Sequence, residues 1–304
     1  MRIVVMASPS FEALGRLPRD RGVEFLIAHD PDSFRRLLPG AEVALIAPRY
    51  GALIRDAWPD MGGIRWIHAL GAGVEHFPFD LLRRRDIVVT NSRGVYAEAL
   101  AEFVIAAMLW FAKDLRRLLQ NQNARRWEPY TVHRLEGATV GIIGYGAVGR
   151  AVARRAEAFA TRVLTLRRHE GMALDELIPS SDYLVLSAAL TPETRGLIDA
   201  KRIASMRPTA VLINVSRGTV VDEAALIEAL RSRRIRGAAL DVFEVEPLPP
   251  AHPLWTLDNV LISPHTADHA ADSHARAIDL FLGNLERFQK GEPLANVVDK
   301  DLGY

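Results

Sequence analysis

The sequence predicts an α/β protein with two doubly wound parallel-sheet domains, and two observations lead to this prediction. Short apolar runs alternate with helix-like segments along the chain of 304 residues, a pattern typical of parallel strands connected by helices. A glycine-spaced turn, TVGIIGYGAVGR at residues 139–150, begins almost halfway along the chain. The residues before this turn therefore form a domain of their own, since the length is sufficient for two separate cores.

The first half of the chain contains five apolar runs, each predicted to be a strand: 2–7, 24–28, 43–47, 65–70 and 87–90. One long amphipathic helix is predicted over residues 97–119, because large apolar residues recur there at helical spacing: Phe103, Val104, Ala107, Trp110 and Phe111. Residues 120–136 are polar and interrupted by Pro129, which indicates an irregular excursion before the glycine-spaced turn.

The glycine-spaced turn lies between a predicted strand and a predicted helix. An apolar run at 139–143 leads into Gly144, Gly146 and Gly149, and an alanine-rich helical run then leads to a second strand at 161–166. The first glycine makes the tight turn, the second lets the backbone approach a pyrophosphate, and the third lets helix and strand pack closely. The N-terminus of the following helix favours binding of the phosphates through its unpaired N–H groups and its positive dipole end. The turn predicts a dinucleotide site; a merely tight turn is the alternative.

Four further apolar runs follow, at residues 183–188, 210–215, 236–242 and 259–263. They continue the alternation through one dinucleotide-binding domain, which we expect to span residues 97–266. Residues 1–96 then form the first part of a substrate-binding domain. A return helix, predicted at 272–289, and a tail complete that domain within residues 267–304.

Polar residues come soon after three of these runs: Arg217 in INVSRG, Glu246 in DVFEVEP and His265 in ISPH. Because the carboxyl ends of parallel strands line the ligand crevice, we expect these side chains to converge. Reduction of a carbonyl by hydride leaves an alkoxide that needs a proton, and histidine, with an ordinary pKa of about 6.5, can donate it. A nearby carboxylate favours imidazolium, and arginine binds a carboxylate bidentately. Singly, each residue has an ordinary structural explanation.

Composition excludes several classes of function. Net charge is +1 with both signs interspersed, so no nucleic-acid or acidic-membrane surface is predicted. The chain has no cysteine, which excludes disulfides and thiolate chemistry. No apolar run is long enough for a signal peptide or a membrane span, so a cytoplasmic protein is expected. His265, His269 and His274 suggest a metal site as one alternative, but we predict none. We instead expect Asp268 or Asp272 to cap the start of the following helix.

With these segments in place, the chain resembles the D-isomer-specific 2-hydroxyacid dehydrogenases. The match runs almost end to end and includes RWIHALGAGVEHF (65–77), TNSRGVYAEALAEF (90–103), LTPETRGLID (190–199) and NVSRGTVVDEAAL (214–226). The resemblance implies a Rossmann cofactor domain inserted in a flavodoxin-like substrate domain. It also implies hydride transfer between NAD(P)H and a small 2-oxo acid such as glyoxylate or hydroxypyruvate. A non-catalytic dinucleotide-sensing scaffold of the corepressor type is the alternative, because fold alone does not separate the two.

The resemblance also assigns site residues. It implies that Arg217 orients the substrate, that His265 is the acid/base with Glu246 as its partner, and that Asp241 contacts the amide side of the nicotinamide. The substrate carboxylate is expected at the loop of Ala72, Gly73 and Val74, and Arg49 or Tyr50 is expected to line the substrate pocket. Further cofactor contacts are expected from His265 and from the following positions: Gly144, Tyr145, Gly146, Ala147, Val148, Gly149, Ala189, Thr194 and Val215.

Cofactor preference and assembly complete the expectations. The strand at 161–166 ends in Arg167 and Arg168, with no acid where an NAD-preferring site places one. We therefore expect NADP(H) to be favoured over NAD(H), although Glu170 lies near enough to oppose a phosphate and 34 of the 38 basic residues are arginine. The family resemblance and the aromatic residues of the 97–136 region predict a homodimer.

Overall fold

The structure, a computed structural model, describes residues 1–18, 22–167 and 171–304. Its strands are β1 (Arg2–Met6), β2 (Glu24–Ala28), β3 (Val43–Ile46), β4 (Trp66–Ala69), β5 (Val88–Asn91), β6 (Thr139–Ile143), β7 (Arg162–Leu166), β8 (Tyr183–Leu186), β9 (Val211–Asn214), β10 (Gly237–Leu240) and β11 (Val260–Ile262). Its α-helices are α1 (Pro31–Leu37), α2 (Leu53–Ala57), α3 (Phe79–Leu82), α4 (Ala97–Ala112), α5 (Leu115–Asn123), α6 (Ala147–Ala158), α7 (Leu174–Ser180), α8 (Ala200–Ser205), α9 (Glu223–Arg231) and α10 (Ser273–Lys290). None of these helices has the length and apolar character needed to span a bilayer.

The chain divides into two compact units. Unit 1 consists of Met1–Tyr96 together with Ala270–Tyr304, and unit 2 consists of Ala97–His269. In sequence, unit 2 therefore interrupts unit 1, and the chain returns to unit 1 through α10.

Unit 1 contains a parallel sheet in the order β2-β1-β3-β4-β5. The central strands β3 and β4 are fully buried, as expected for parallel strands covered on both faces, and they are apolar except for His68 on β4. The C-terminal tail joins this unit, since the N–H of Val298 donates to the carbonyl of Val89 at 2.8 Å. The order is that of a flavodoxin-like domain and confirms the predicted fold.

Unit 2 contains a second parallel sheet, in the order β11-β10-β9-β8-β6-β7. The chain leaves β6 to form β7 on one side and then continues on the other side with β8, so the winding direction reverses between β6 and β8. Ligands of open α/β sheets bind at such a switch point, beyond the carboxyl ends of the strands. Two hydrophobic clusters cover the sheet, one built around α4 and α6 and the other around α7 to α9.

The single helix predicted over residues 97–119 is wrong, because the structure contains two helices there. α4 ends at Ala112, and Asp114 adopts a left-handed backbone with φ of 48°. The carboxylate of Asp114 then accepts a hydrogen bond from the backbone N–H of Arg117 at 3.4 Å and caps α5. The apolar periodicity continues through this interruption, so it gave no sign of the break.

The start of α10 also differs from the expectation. Asp272 occupies the N-cap position, but its side chain makes no capping hydrogen bond. Its carboxylate instead accepts a 2.7 Å hydrogen bond from Nε of Arg276, one turn into the helix. The prediction that Asp272 caps the helix with its side chain is therefore wrong, because pairing with Arg276 engages the carboxylate. Oδ1 of Asp268 lies 3.5 Å from Nε2 of His269. In the described ranges, no group of three or more potential metal-binding side chains is found.

Candidate active site

The glycine-spaced turn lies at the switch point of unit 2, where two of its glycines cannot be replaced without moving the backbone. Gly144 has φ of 94°, and a Cβ there would lie 2.4 Å from the backbone nitrogen of Ala188. A Cβ on Gly149 would lie 2.2 Å from the carbonyl oxygen of Gly144. The first and third glycines are thus required by close backbone packing.

The second glycine has a different environment. Gly146 is the N-cap of α6, and a Cβ built on it would meet nothing within 4 Å. The first turn of α6 begins with Ala147, Val148 and Gly149 and carries no acidic side chain. Backbone N–H groups, a positive dipole end and open space suit a bound pyrophosphate. The residues at this turn therefore fit a dinucleotide cofactor.

Neighbouring loops close around the same turn. The hydroxyl of Ser187, just after β8, donates to the carbonyl of Gly144 at 2.7 Å. Thr194 folds back onto this loop, since its hydroxyl donates to the carbonyl of Ala189 at 2.7 Å. Val215, just after β9, donates its N–H to the carbonyl of Leu186 at 3.1 Å. Ala189, Thr194 and Val215 thus all belong to the loops at the carboxyl ends of β8 and β9.

Arg167 lies beside the glycine-spaced turn. Its guanidinium carbon is 4.6 Å from the ring centroid of Tyr145, the residue between the first two glycines. Arg167 immediately follows β7, which is the position where a dinucleotide fold meets the adenosine ribose. Arg168, the other arginine of the cofactor prediction, and Glu170 lie outside the described residues.

The side chains of His265 and Glu246 are in contact. Nδ1 of His265 lies 2.7 Å from Oε2 of Glu246. The other carboxylate oxygen, Oε1, accepts a 3.0 Å hydrogen bond from the backbone N–H of Phe243. Both oxygens of Glu246 are therefore engaged, and the contact at Nδ1 fixes the ring. Nε2 remains as the histidine nitrogen that can meet a substrate.

The surroundings shift the pKa values of this pair in opposite directions. The hydrogen bond to Glu246 raises the pKa of His265, against partial burial and the charge of Arg217, and Asp241 adds to the increase. Burial raises the pKa of Glu246, but hydrogen bonds from His265 and from the N–H of Phe243 outweigh it, so that this pKa is lowered overall. His265 therefore keeps its proton to higher pH while Glu246 stays charged.

Asp241 is buried at the end of β10 and anchors the loop that carries His265. Its Oδ1 accepts hydrogen bonds from the hydroxyl of Ser263 at 2.6 Å and from the N–H groups of Thr266 and Ala267 at 2.9 and 3.0 Å. Sequence reasoning missed Ser263 and Thr266. Ser263 contacts Asp241 through its hydroxyl, whereas Thr266 contacts it through a backbone N–H that any residue except proline supplies, so the sequence carried no signal for Thr266.

Arg217 lies close to the other two members of the set. Asn214, at the end of β9, donates from Nδ2 to the carbonyl of Arg217 at 3.0 Å, and Nη1 of Arg217 donates to the carbonyl of Ser216 at 2.7 Å. The positive charge of Arg217 lowers the pKa of both His265 and Glu246, which reflects its proximity to them. Unit 2 thus brings Arg217, Glu246 and His265 together.

In unit 1, the other predicted substrate residues lie around a small cavity after β3 and β4. Arg49 and Gly73 line it together with His76. Arg49 has φ of 75°, whereas Tyr50 packs against the hydrophobic core of the unit. Ala72 and Gly73 are exposed and Val74 is buried. The N–H groups of these three loop residues donate no hydrogen bond to any residue that the structure describes.

Comparison with known proteins agrees with this geometry. The family model for the NAD-binding domain of the D-isomer specific 2-hydroxyacid dehydrogenases matches residues 105–267. The glyoxylate reductase of Thermofilum pendens is 35% identical over 280 residues, which cover 86% of this chain and 82% of the relative. The chain belongs to this family. It is an NAD(P)-dependent oxidoreductase with the two-domain architecture of these dehydrogenases.

Solved structures of the family are similar over nearly their whole length. The NADPH-dependent glyoxylate/hydroxypyruvate reductase of Sinorhizobium meliloti, in complex with NADP and sulfate, covers 100% of this chain and 99% of its own, at 28% identity and a TM-score of 0.87. A family member from Xanthobacter autotrophicus, in complex with NADPH and MES, covers 99% of both chains at 32% identity and a TM-score of 0.81. The alternative of a non-catalytic sensing scaffold is not favoured.

Proposed function

We propose that this dehydrogenase reduces glyoxylate and 2-oxo acids of similar size, such as hydroxypyruvate, with NADPH. The single observation that carries the proposal is the 2.7 Å contact between His265 Nδ1 and Glu246 Oε2, because it orients and charges an acid suited to carbonyl reduction. The names of the relatives support the substrate class, since they include a glyoxylate reductase and a glyoxylate/hydroxypyruvate reductase.

In the proposed reaction, Arg217, Glu246 and His265 of unit 2 each have one role. The reduced nicotinamide, when bound, supplies the hydride that the carbonyl carbon accepts. Arg217 binds the substrate carboxylate and polarises the adjacent carbonyl oxygen. His265 donates the proton on Nε2 to that oxygen as it becomes an alkoxide, and Glu246 stabilises the imidazolium form beforehand. The product is the 2-hydroxy acid, and His265 regains its proton from solvent.

The cofactor contacts are proposed from the residues around the glycine-spaced turn. The N–H groups at the start of α6 bind the pyrophosphate, and Gly146 lets it approach. Tyr145, Ala189, Thr194 and Val215 contribute to the walls of this site. Asp241 uses Oδ2, which takes part in none of its three bonds to the His265 loop, to meet the carboxamide side of the nicotinamide. Arg167 binds the 2′-phosphate, and its position supports NADPH as the preferred cofactor.

Unit 1 supplies further substrate contacts in this proposal. The loop of Ala72, Gly73 and Val74 offers backbone N–H groups to an anionic group, and their lack of partners among the described residues supports this role. Arg49 lines the adjacent cavity and contributes a positive charge.

We also infer a homodimer formed through the segment from α5 to residue 132. Four large apolar side chains are exposed there: Leu118, Leu119, Trp127 and Val132. Trp127 is 98% exposed, and exposed large apolar side chains concentrated in one segment are typical of a surface covered by a partner. Phe111, which sequence reasoning included in the interface, is buried in the core of unit 2 and cannot contribute to it.

The proposal is tested by following NADPH oxidation with a panel of 2-oxo acids that includes glyoxylate, hydroxypyruvate and larger alkyl and aryl pyruvates. We expect turnover with the two smallest, and a kcat lower by about 10²–10⁴ in His265→Ala with NADPH binding retained. Binding of NADPH without turnover of any 2-oxo acid would favour the sensing scaffold. Near-normal kcat in His265→Ala would show that another group donates the proton.

A further inference from the structure

A second histidine–carboxylate pair lies behind the loop that carries Glu246. Glu223 is the first residue of α9, and its side chain is only 12% exposed. Its Oε1 lies 3.1 Å from Nε2 of His252, and its Oε2 accepts a 3.2 Å hydrogen bond from the backbone N–H of Glu244. One carboxylate thus connects the loop after β10 with the short turn that begins at His252.

The hydrogen bonds of His252 determine which of its nitrogens carries the proton. Nδ1 accepts a hydrogen bond from the N–H of Leu254 at 3.4 Å, so the proton of the neutral ring lies on Nε2. Nε2 then faces Oε1 of Glu223 at a distance of 3.1 Å. His252 therefore presents an N–H group to the carboxylate, and the second oxygen of Glu223 accepts a hydrogen bond from the amide of Glu244.

Two consecutive peptide groups, Val242–Phe243 and Phe243–Glu244, are held by three contacts. The N–H of Phe243 donates to Glu246, and the N–H of Glu244 donates to Glu223. The Phe243–Glu244 peptide group also packs directly against Gly218, where a Cβ would lie 1.9 Å from the carbonyl carbon of Phe243. Because Gly218 follows Arg217, these two consecutive peptide groups link the arginine segment with the carboxylate that contacts His265.

We propose that Glu223 and His252 are a positioning pair for the reduction, acting through the backbone of Phe243 and Glu244 to keep Glu246 against His265. The inference rests on the proposed function, in which Glu246 supports His265 as the acid. Both residues act through the loop, whereas Glu246 itself contacts the acid. The order of support runs from His252 to Glu223, then through the backbone of Glu244 and Phe243 to Glu246.

Glu223→Ala is expected to lower kcat about tenfold, the effect of losing the support of a catalytic group, with KM for glyoxylate and Kd for NADPH within about twofold. The decline of activity at high pH should begin at a lower pH in this variant. The charge of Arg217 would still lower the pKa of His265, whereas the hydrogen bond to Glu246 that raises this pKa would be weaker. Asp241, the other acid acting on His265, is unchanged by this substitution. His252→Leu should act in the same direction, and His252→Gln should restore most of the rate because its amide keeps an N–H group near Glu223.

Asp222→Ala is the matched control. Asp222 precedes Glu223 and caps the same helix, since its carboxylate accepts from the N–H of Ala225 at 2.9 Å. Its loss weakens α9 without removing a bond to the Glu246 loop, so kcat and the pH profile should stay as in the wild type. An equal loss of kcat in Asp222→Ala and Glu223→Ala, or an unchanged pH profile in Glu223→Ala, would overturn the positioning role.

An NMR titration of the His265 ring separates this inference from the proposed substrate. The pKa of His265 should be lower in Glu223→Ala than in the wild type and unchanged in Asp222→Ala. If the wild type reduces none of the 2-oxo acids, the proposed function fails, and the titration still decides the positioning pair. Identical His265 titrations in the wild type and in Glu223→Ala would contradict it.

Discussion

His265 contacts Glu246 at 2.7 Å from a left-handed backbone, with φ of 55°. This region is unfavourable for a residue with a Cβ and costs on the order of 1 kcal/mol or more. The hydrogen bonds from the N–H groups of Thr266 and Ala267 to Asp241 hold the loop in this conformation. The fold thus maintains a strained backbone at the residue whose ring must meet both Glu246 and the substrate.

Replacing Glu246 by glutamine should change the pH dependence of reduction. Reduction requires protonated His265, whose pKa is raised mainly by the hydrogen bond to Glu246. Activity is therefore present below this pKa and is lost as pH rises through it. In Glu246→Gln the charge is gone, so the loss should begin at lower pH, and kcat should fall more at alkaline pH than at pH 6. A kcat profile that coincides with that of the wild type would contradict the pairing.

Replacing Arg217 by lysine should raise KM for the 2-oxo acid and lower kcat together. An ammonium cannot reproduce two parallel N–H donors, and one lost charged hydrogen bond of about 1.5–3 kcal/mol corresponds to a roughly 10–100-fold lower kcat/KM. Steady-state kinetics with glyoxylate measure both constants. Arg207→Lys is the control, because Arg207 pairs with Asp182 on the surface. If only NADPH affinity changes in Arg217→Lys, the arginine has a different role.

Replacing Arg167 by alanine should reduce the preference for NADPH. One contact to the 2′-phosphate is worth about 1.5–3 kcal/mol, so kcat/KM for NADPH should fall roughly 10–100-fold while that for NADH changes little. Arg154→Ala removes the same charge from α6, where Arg154 pairs with Glu98, and should leave the ratio unchanged. A wild-type preference for NADH would contradict the assignment. So would an Arg167→Ala, Arg168→Ala double variant in which the ratio of kcat/KM for NADPH to kcat/KM for NADH is unchanged.

The oligomeric state tests whether the exposed apolar side chains between Leu118 and Val132 form a dimer interface. Light scattering at micromolar concentration should give about twice the chain mass of 33.7 kDa. Trp127→Arg should shift the protein toward the monomer, because a charged side chain would be buried without a partner. Trp255→Arg, at a half-exposed tryptophan of unit 2, serves as the control. A wild-type mass near that of one chain would rule out the dimer.

His68 should make unit 1 sensitive to acid. It is fully buried on β4, where its Nδ1 lies 2.7 Å from the hydroxyl of Thr90, and burial lowers its pKa to about 3. In the unfolded chain the ordinary value of about 6.5 applies, so the unfolded state binds the extra proton between these limits. Stability is therefore complete above about pH 6.5 and falls below it, by up to about 1.4 kcal/mol per pH unit.

His68→Gln removes this titration while keeping a group that can bond the Thr90 hydroxyl. We expect the variant to be less stable at pH 7, because the ring also packs against Trp66 and Phe281. Urea unfolding at pH 7 and pH 5 should show a smaller loss of unfolding free energy in the variant than in the wild type. Equal losses in both proteins would show that His68 does not determine the acid sensitivity.

The sequence by itself determined the strands, the glycine-spaced turn and the family. The run at 24–28 coincides with β2, and that at 139–143 with β6. β6 is buried along its whole length, and such a strand is a near-continuous apolar run, whereas β2 is an edge strand whose Glu24 is exposed. Gly144 and Gly149 were predicted from spacing alone, and their close backbone contacts explain why no other residue fits. These features depend on residues near one another in the chain, so local pattern was sufficient to find them.

Only the tertiary structure decided which polar groups meet. The left-handed turn at Asp114 divides a continuous apolar stripe, and the carboxylate of Asp241 bonds residues more than 20 positions away. Glu223 and His252 likewise come together only when α9 and the turn at His252 fold beside the same loop. A polar side chain satisfies its hydrogen bonds with whatever the fold places within about 3 Å, and no local periodicity records that partner.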